Sequence, residues 1–239
     1  MKYLTIDREN LEKYFIISKV NDKEFTVRIP HGENYIKIQI PFALNENVAT
    51  LAGLMPDGSL IKDLRRVYFT QKKDVSKIYL FRDLLSTIFS PSNTVFVREH
   101  KNAFETYTNS KTLAYFFYFI LDLRKSDEET RIPSWLFNSP ISVKHAYLRA
   151  AYDMEAYMSK RLYEIRFITV DENYAYDLKK LLESVNISSI VKTRIGGTHN
   201  TIQYRISIYG KENIKEFGNI GFSIQMHKER LERALAKYA

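Results

Sequence analysis

Two stretches near the start of the chain alternate apolar and polar residues with period two, at 23–29 and 35–40, around the turn formers Pro30, Gly32 and Asn34. Successive side chains on a strand point to opposite faces, so this alternation predicts a β-hairpin inside a small β-rich extension over residues 1–46. The periodicity then changes. A compact apolar run at 48–55 predicts a helix, followed by a strand at 66–70, an amphipathic helix at 74–89, strands at 94–99 and 103–108, and a helix at 111–123. Polar residues 124–131 and the prolines Pro133 and Pro140 mark a linker. The same order then recurs: helix 142–155, strand 163–169, helix 172–185, strands 189–195 and 201–208 about a turn at 196–200, and closing helices at 211–217 and 225–237.

A repeat this long is not a solenoid unit, whose period runs to about 20–50 residues. Two fused copies of one subdomain fit better. The pattern predicts a mixed α/β (α+β) chain: the N-terminal β extension, a first αββαββα subdomain at 47–131, and the linker with a pseudo-symmetric second subdomain at 132–239.

Composition narrows the chemistry. With 45% hydrophobic and 14% aromatic residues the chain is too apolar to be disordered. The absence of cysteine excludes disulfides, iron–sulfur clusters, thiolate zinc sites and cysteine nucleophiles. Five histidines, scattered at 31, 100, 145, 199 and 227, argue against a histidine-rich metal site. No apolar run approaches the roughly 18–20 residues that span a bilayer, and the charged N-terminus lacks a signal-peptide core. A cytoplasmic protein without membrane partner or organic cofactor is expected. Its net charge of +8 favours an anionic partner, nucleic acid first.

The two opening helices carry the most pointed chemistry. Ala49, Ala52 and Gly53 in one, and Ala146, Ala150 and Ala151 in the other, would let helices approach closely, and each helix ends on an acid, Asp57 or Glu155. A helix C-terminus is partially negative and two carboxylates repel, so converging acids there call for a cation. Hard oxygen ligands suit Mg²⁺ or another divalent ion, with water and phosphate completing its shell.

Leu51-Ala52-Gly53-Leu54-Met55-Pro56-Asp57-Gly58 and Leu148-Arg149-Ala150-Ala151-Tyr152-Asp153-Met154-Glu155-Ala156 resemble the two motifs of the monomeric LAGLIDADG homing endonucleases, of the archaeal type. The resemblance covers residues 47–239, including Ile132-Pro133 and Phe137-Asn138-Ser139-Pro140 before the second motif and Ile220-Gly221-Phe222 near the end. It implies two subdomains that form a saddle on double-stranded DNA, with Asp57 and Glu155 as catalytic metal ligands. Thr70-Gln71-Lys72 matches a Gln-Lys pair in some members, which implies that Lys72 stabilises charge at the scissile phosphate with Gln71 in support. The first motif is one residue short, Ala156 replaces the second motif's terminal glycine, and Val170 stands where a second lysine would align.

Strand alternation also sorts the basic residues. Gln203, Arg205 and Ser207 share one face of their strand, Lys192 and Arg194 share one face of the neighbouring strand, and Arg166 points away from Ile165 and Phe167. In the first copy Arg66, Tyr68 and Thr70 share a face, as do Phe96, Arg98 and His100. A two-stranded ribbon can enter the major groove, where Arg reads guanine and Gln reads adenine, while other cations meet phosphate. Arg66, Tyr68, Arg98, Arg166, Lys192, Arg194, Gln203 and Arg205 are therefore the expected DNA contacts. The aromatic run at 115–120 is expected in the core, Gly196-Gly197 in a hairpin turn, and the basic C-terminal helix face in solvent. The chain thus reads as a monomeric, site-specific, Mg²⁺-dependent DNA endonuclease. The alternative is a sequence-specific DNA-binding protein of the same fold that no longer cuts, a regulator or an intron maturation factor.

Overall fold

In the computed structural model, described over residues 2–72, 75–100, 102–196 and 201–238, the chain divides into two compact units. Residues 1–128 and 133–140 cluster as one unit, residues 129–132 and 141–239 as the other. The Pro133–Pro140 segment, read from its prolines as linker, forms a 3-10 helix over Ser134–Asn138, fixed to the first unit by Trp135 Nε1 donating to Leu121 O at 3.0 Å.

The first unit opens with β1 (Thr5–Ile6), α1 (Arg8–Glu12), β2 (Ile16–Lys19), β3 (Glu24–Arg28), β4 (Ile36–Gln39) and β5 (Phe42–Ala43). The expected hairpin is β3–β4, antiparallel, with Val27 opposite Ile36. A third strand, β2, extends that sheet, and β1 pairs with β5. The repeat unit follows as α2 (Glu46–Leu54), a 3-10 turn at Met55–Asp57, β6 (Gly58–Leu60), β7 (Val67–Gln71), α3 (Val75–Phe89), β8 (Phe96–His100), β9 (Ala103–Thr108) and α4 (Lys111–Phe119). Asn45 starts α2 by accepting from the amides of Asn47 and Val48, which satisfies donors that the first helical turn leaves unpaired. The sheet runs in the order β6-β7-β9-β8, antiparallel throughout. Its core face carries Val67 and Phe69, and Phe69 stacks on Phe81 of α3 at 4.9 Å. Phe42, Phe89 and Phe116 pack edge to face and stacked nearby. From the run at 115–120, Phe116 and Phe117 are buried as expected, whereas Phe119 is exposed and stacks on Tyr14.

The second unit contains α5 (Ile141–Glu155), β10 (Ala156–Met158), β11 (Glu164–Thr169), α6 (Glu172–Glu183), β12 (Ile190–Gly196), β13 (Thr201–Tyr209), α7 (Lys211–Ile220) and α8 (Gln225–Tyr238). Its sheet order, β10-β11-β13-β12, reproduces the first. The turn expected at 196–200 lies, beyond Gly196, outside the described residues. The core is aromatic: Tyr152 of α5 packs on Phe167 and Phe217, and Phe167 on Tyr174. Tyr152 is fully buried, and its hydroxyl has no hydrogen-bond partner among the described residues. A buried polar group without a partner costs stability. Tyr152→Phe should therefore raise the urea midpoint, by about 1 kcal/mol in unfolding free energy.

The two sheets share a register. Gly58 pairs with Phe69 and Phe69 with Thr106, which pairs with Val97; Ala156 pairs with Phe167 and Phe167 with Ile206, which pairs with Val191. From those matched rows the β8–β9 ladder runs three further rows, to His100 opposite Ala103. The β12–β13 ladder runs five, to Gly196 opposite Thr201. The mixed α+β repeat expected from periodicity is present, with unequal ribbons.

Candidate active site and nucleic-acid surface

Each acid occupies the joint between the opening helix and the first strand of its sheet. In the first unit the helix tightens to a 3-10 turn and delivers Asp57 immediately before β6. Gly58 permits that entry, because a Cβ there would sit 3.0 Å from Tyr68 O and 3.0 Å from Met55 Sδ. The half-buried Asp57 carboxylate accepts a hydrogen bond from Gln71 Nε2 at 2.7 Å on Oδ2. Burial pushes its pKa up, and the Gln71 contact opposes that rise without cancelling it. Among the described residues no cation lies within ion-pair distance of Asp57. Lys72 is exposed at the bend just beyond β7.

In the second unit α5 runs directly into β10, and Glu155 is exposed at the last helical position. The shared register places Thr169 in the position of Gln71 and Val170 in that of Lys72. Thr169 Oγ1 accepts from the Asp171 amide at 3.1 Å, and Val170 is 61% exposed. The positions of Gln71 and Lys72 are therefore filled by Thr169 and Val170 in the second unit. Among the described residues no group of three or more His, Cys, Asp or Glu could hold a metal, so each unit offers a carboxylate rather than a closed cage.

The strand faces opposite the cores carry the expected cations together with partners that alternation alone does not reveal. In the first sheet Arg98 pairs with Glu105 at 2.7 Å, directly across the ladder. The Arg98 guanidinium lies over the Tyr107 ring at 4.6 Å and that of Arg66 over the same ring at 4.9 Å, while Phe96 stacks on Tyr107. Arg66 Nε also donates to Asn109 Oδ1 at 2.7 Å. Tyr68 lies opposite Tyr107.

In the second sheet Arg166 is held by Glu164 at 2.5 Å and by the Tyr157 hydroxyl at 3.1 Å. Glu164 is fully buried and also accepts from the Tyr209 hydroxyl at 2.7 Å. Burial would raise its pKa, but contacts with Arg166, Tyr209 and Ser207 outweigh burial and hold it below the usual range. The Arg166 pKa is raised by Glu164 and Tyr157. Arg194 Nε donates to Gln203 Oε1 at 3.0 Å, from neighbouring strands. Lys192 lies opposite Arg205. Glu105 and Glu164 are the site residues that sequence reasoning missed. Glu164 lies two residues before Arg166 on β11, so shared strand parity could have signalled it, whereas Glu105 meets Arg98 only through the register of β8 with β9.

No described helix is long and apolar enough to cross a membrane. Residues 142–220 match a family described as a LAGLIDADG-like domain. Among curated relatives, "Probable translation initiation factor IF-2" of Methanocaldococcus jannaschii is 28% identical over 115 residues, 47% of this chain and 10% of that protein. The tRNA-splicing ligase RtcB of Pyrococcus furiosus is 26% identical over 129 residues, 48% of this chain and 13% of the ligase. The chain thus spans about a tenth of the length of these relatives. The homing endonuclease I-DmoI, solved with DNA and Ca, superposes with a TM-score of 0.56 at 17% identity, covering 80% of this chain and 98% of that one. Full-length DUF199/WhiA from Thermatoga maritima superposes with a TM-score of 0.54 at 14% identity, over 82% and 62% of the two chains. Residues 142–220 are thus similar to a LAGLIDADG-like domain, and the chain has the mixed α+β LAGLIDADG fold of I-DmoI.

Proposed function

We propose that the chain is a site-specific, divalent-metal-dependent endonuclease of double-stranded DNA that acts as a single chain through its internal repeat. The observation that carries this reading is the equivalent placement of Asp57 and Glu155. Each is the residue before the first strand of its sheet, and those strands share a register. A half-buried carboxylate with a raised pKa and, among the described residues, no cation within ion-pair distance suits an external cation, so the donor chemistry at Asp57 fits Mg²⁺. Asp57 in the first unit and Glu155 in the second would each serve as a carboxylate ligand for a divalent ion, whose contribution is charge neutralisation at phosphodiester oxygens. Gln71 fixes one oxygen of Asp57 and leaves the other for a ligand. Lys72 supplies a mobile positive charge for the phosphate. The likeness to I-DmoI, solved with DNA, supports the substrate class. The stretches shared with an initiation factor and an RNA ligase, proteins of unrelated activity, support an element whose role is independent of those hosts.

A second reading, a DNA-binding protein that no longer cuts, is favoured by Thr169 and Val170 standing at the positions that Gln71 and Lys72 hold in the first unit. One experiment separates the two. Selection from a randomised duplex library with Ca²⁺ should enrich a bound sequence, and Mg²⁺ should then yield nicked or linear product that chelator abolishes. Enrichment without product supports the second reading, and no enrichment overturns both.

A further inference from the structure

The cations on the two strand faces divide into held and unheld groups, and two carboxylates make the division. Arg98 is bound through Nε and Nη2 to Glu105, with its plane resting on Tyr107. Arg166 is bound to Glu164 and Tyr157. In both cases the positive charge is balanced on the protein itself. Lys192, Arg194 and Arg205 differ: among the described residues no carboxylate lies within ion-pair distance of any of them. The shared register sharpens the contrast, because Arg205 occupies in the second sheet the row that Glu105 occupies in the first. Glu105 lies opposite Thr70 and Arg98, and Arg205 opposite Ile168 and Lys192.

These groups do different work on a polyanion. A cation that neutralises a phosphate releases counterions, and its affinity falls as salt rises. An arginine already neutralised by a carboxylate releases few, but its orientation is fixed, which is what bidentate reading of a base edge needs. We propose that the β12–β13 ribbon, through Lys192 and Arg205 with Arg194 beside them, is the phosphate-tracking surface, and that Glu105 and Glu164 withhold Arg98 and Arg166 from phosphate. Glu105 and Glu164 are positioning residues in this scheme. The assignment rests on the duplex-DNA reading above and adds which half of the repeat carries the salt-dependent affinity.

The test uses the full chain, a short fluorescent duplex of arbitrary sequence, and Ca²⁺ to hold cleavage off. Affinity is measured between about 50 and 200 mM salt. Lys192→Ala and Arg205→Ala should each reduce the slope of log affinity against log salt by about 0.9. Arg98→Ala should change it by less than about a third of that step, and Glu105→Gln, which frees Arg98, should steepen it by about 0.9. Arg166→Ala should behave as Arg98→Ala does. The Arg98 and Glu105 variants decide the matter even if loss of Arg166 beside a buried carboxylate unfolds the second unit. Equal flattening by Arg98→Ala and Arg205→Ala, or no change with Glu105→Gln, overturns the proposal. Absence of duplex binding by the unmodified chain would instead overturn the DNA reading itself, a result distinct from any pattern of slopes.

Discussion

Asp57→Asn and Glu155→Gln are each expected to lower DNA cleavage by about 10³-fold or more while leaving duplex affinity in Ca²⁺ essentially unchanged. Both substitutions keep shape and remove charge, so a loss of cutting with retained binding isolates the carboxylates' chemistry. Loss of binding in both variants would undermine the assignment of these acids to a metal. Asp57 adds a stability signature. Its folded pKa is raised by burial, so folding favours the protonated form, and native stability falls as pH rises through that folded pKa. At neutral pH the ionised carboxylate is a standing cost, and the asparagine removes it. Asp57→Asn should thus raise the melting temperature of the metal-free protein, by about 1–3 °C. The variant that abolishes activity would be the more stable protein, a trade-off common at functional sites.

Phe69→Ala should be the most damaging substitution in the first unit. Phe69 is fully buried, stacks on Phe81 and joins the ladder between Gly58 and Thr106, one row from the position of Asp57. Deleting a buried phenylalanine ring costs about 3–5 kcal/mol, from lost transfer energy and the cavity left behind. Against a total stability of about 5–15 kcal/mol, that shift should lower the melting temperature by roughly 6–20 °C. Cleavage should fall at temperatures where the protein is still folded, because β7 also carries Gln71. A melting temperature within about 3 °C of the unmodified chain would mean that the cavity collapses and that this stack is not central to the unit.

Much of the repeat was legible because its long elements are periodic and its small-residue helices end on acids. β9 (Ala103–Thr108) is visible residue for residue, and β7, β8, β11, β12 and β13 to within one or two positions. The short strands were harder to see. Gly58–Leu60 and Ala156–Met158 carry three residues each, too few to establish a period, and only their pairing with β7 and β11 makes them strands. β2 was missed because it is an exposed edge strand without regular alternation between buried and exposed positions. The Glu105 partner of Arg98 was hidden for another reason. Alternation says which residues share a face along one strand, but the Arg98–Glu105 pair depends on cross-strand register, which a single strand's sequence does not contain. Ser207, expected on the polar exposed face, is instead buried, and lies opposite Arg166.

The unequal ribbons bear on the length of the target. Two extra ladder rows in β12–β13 add about 7 Å of paired strand, at about 3.3 Å per residue. Along a duplex that rises about 3.4 Å of axis per base pair, that distance is roughly two base pairs. On the proposed reading the recognition sequence is lopsided despite the protein's internal symmetry. Its half under the second ribbon should be held by backbone contacts over a stretch about two base pairs longer than its half under the first.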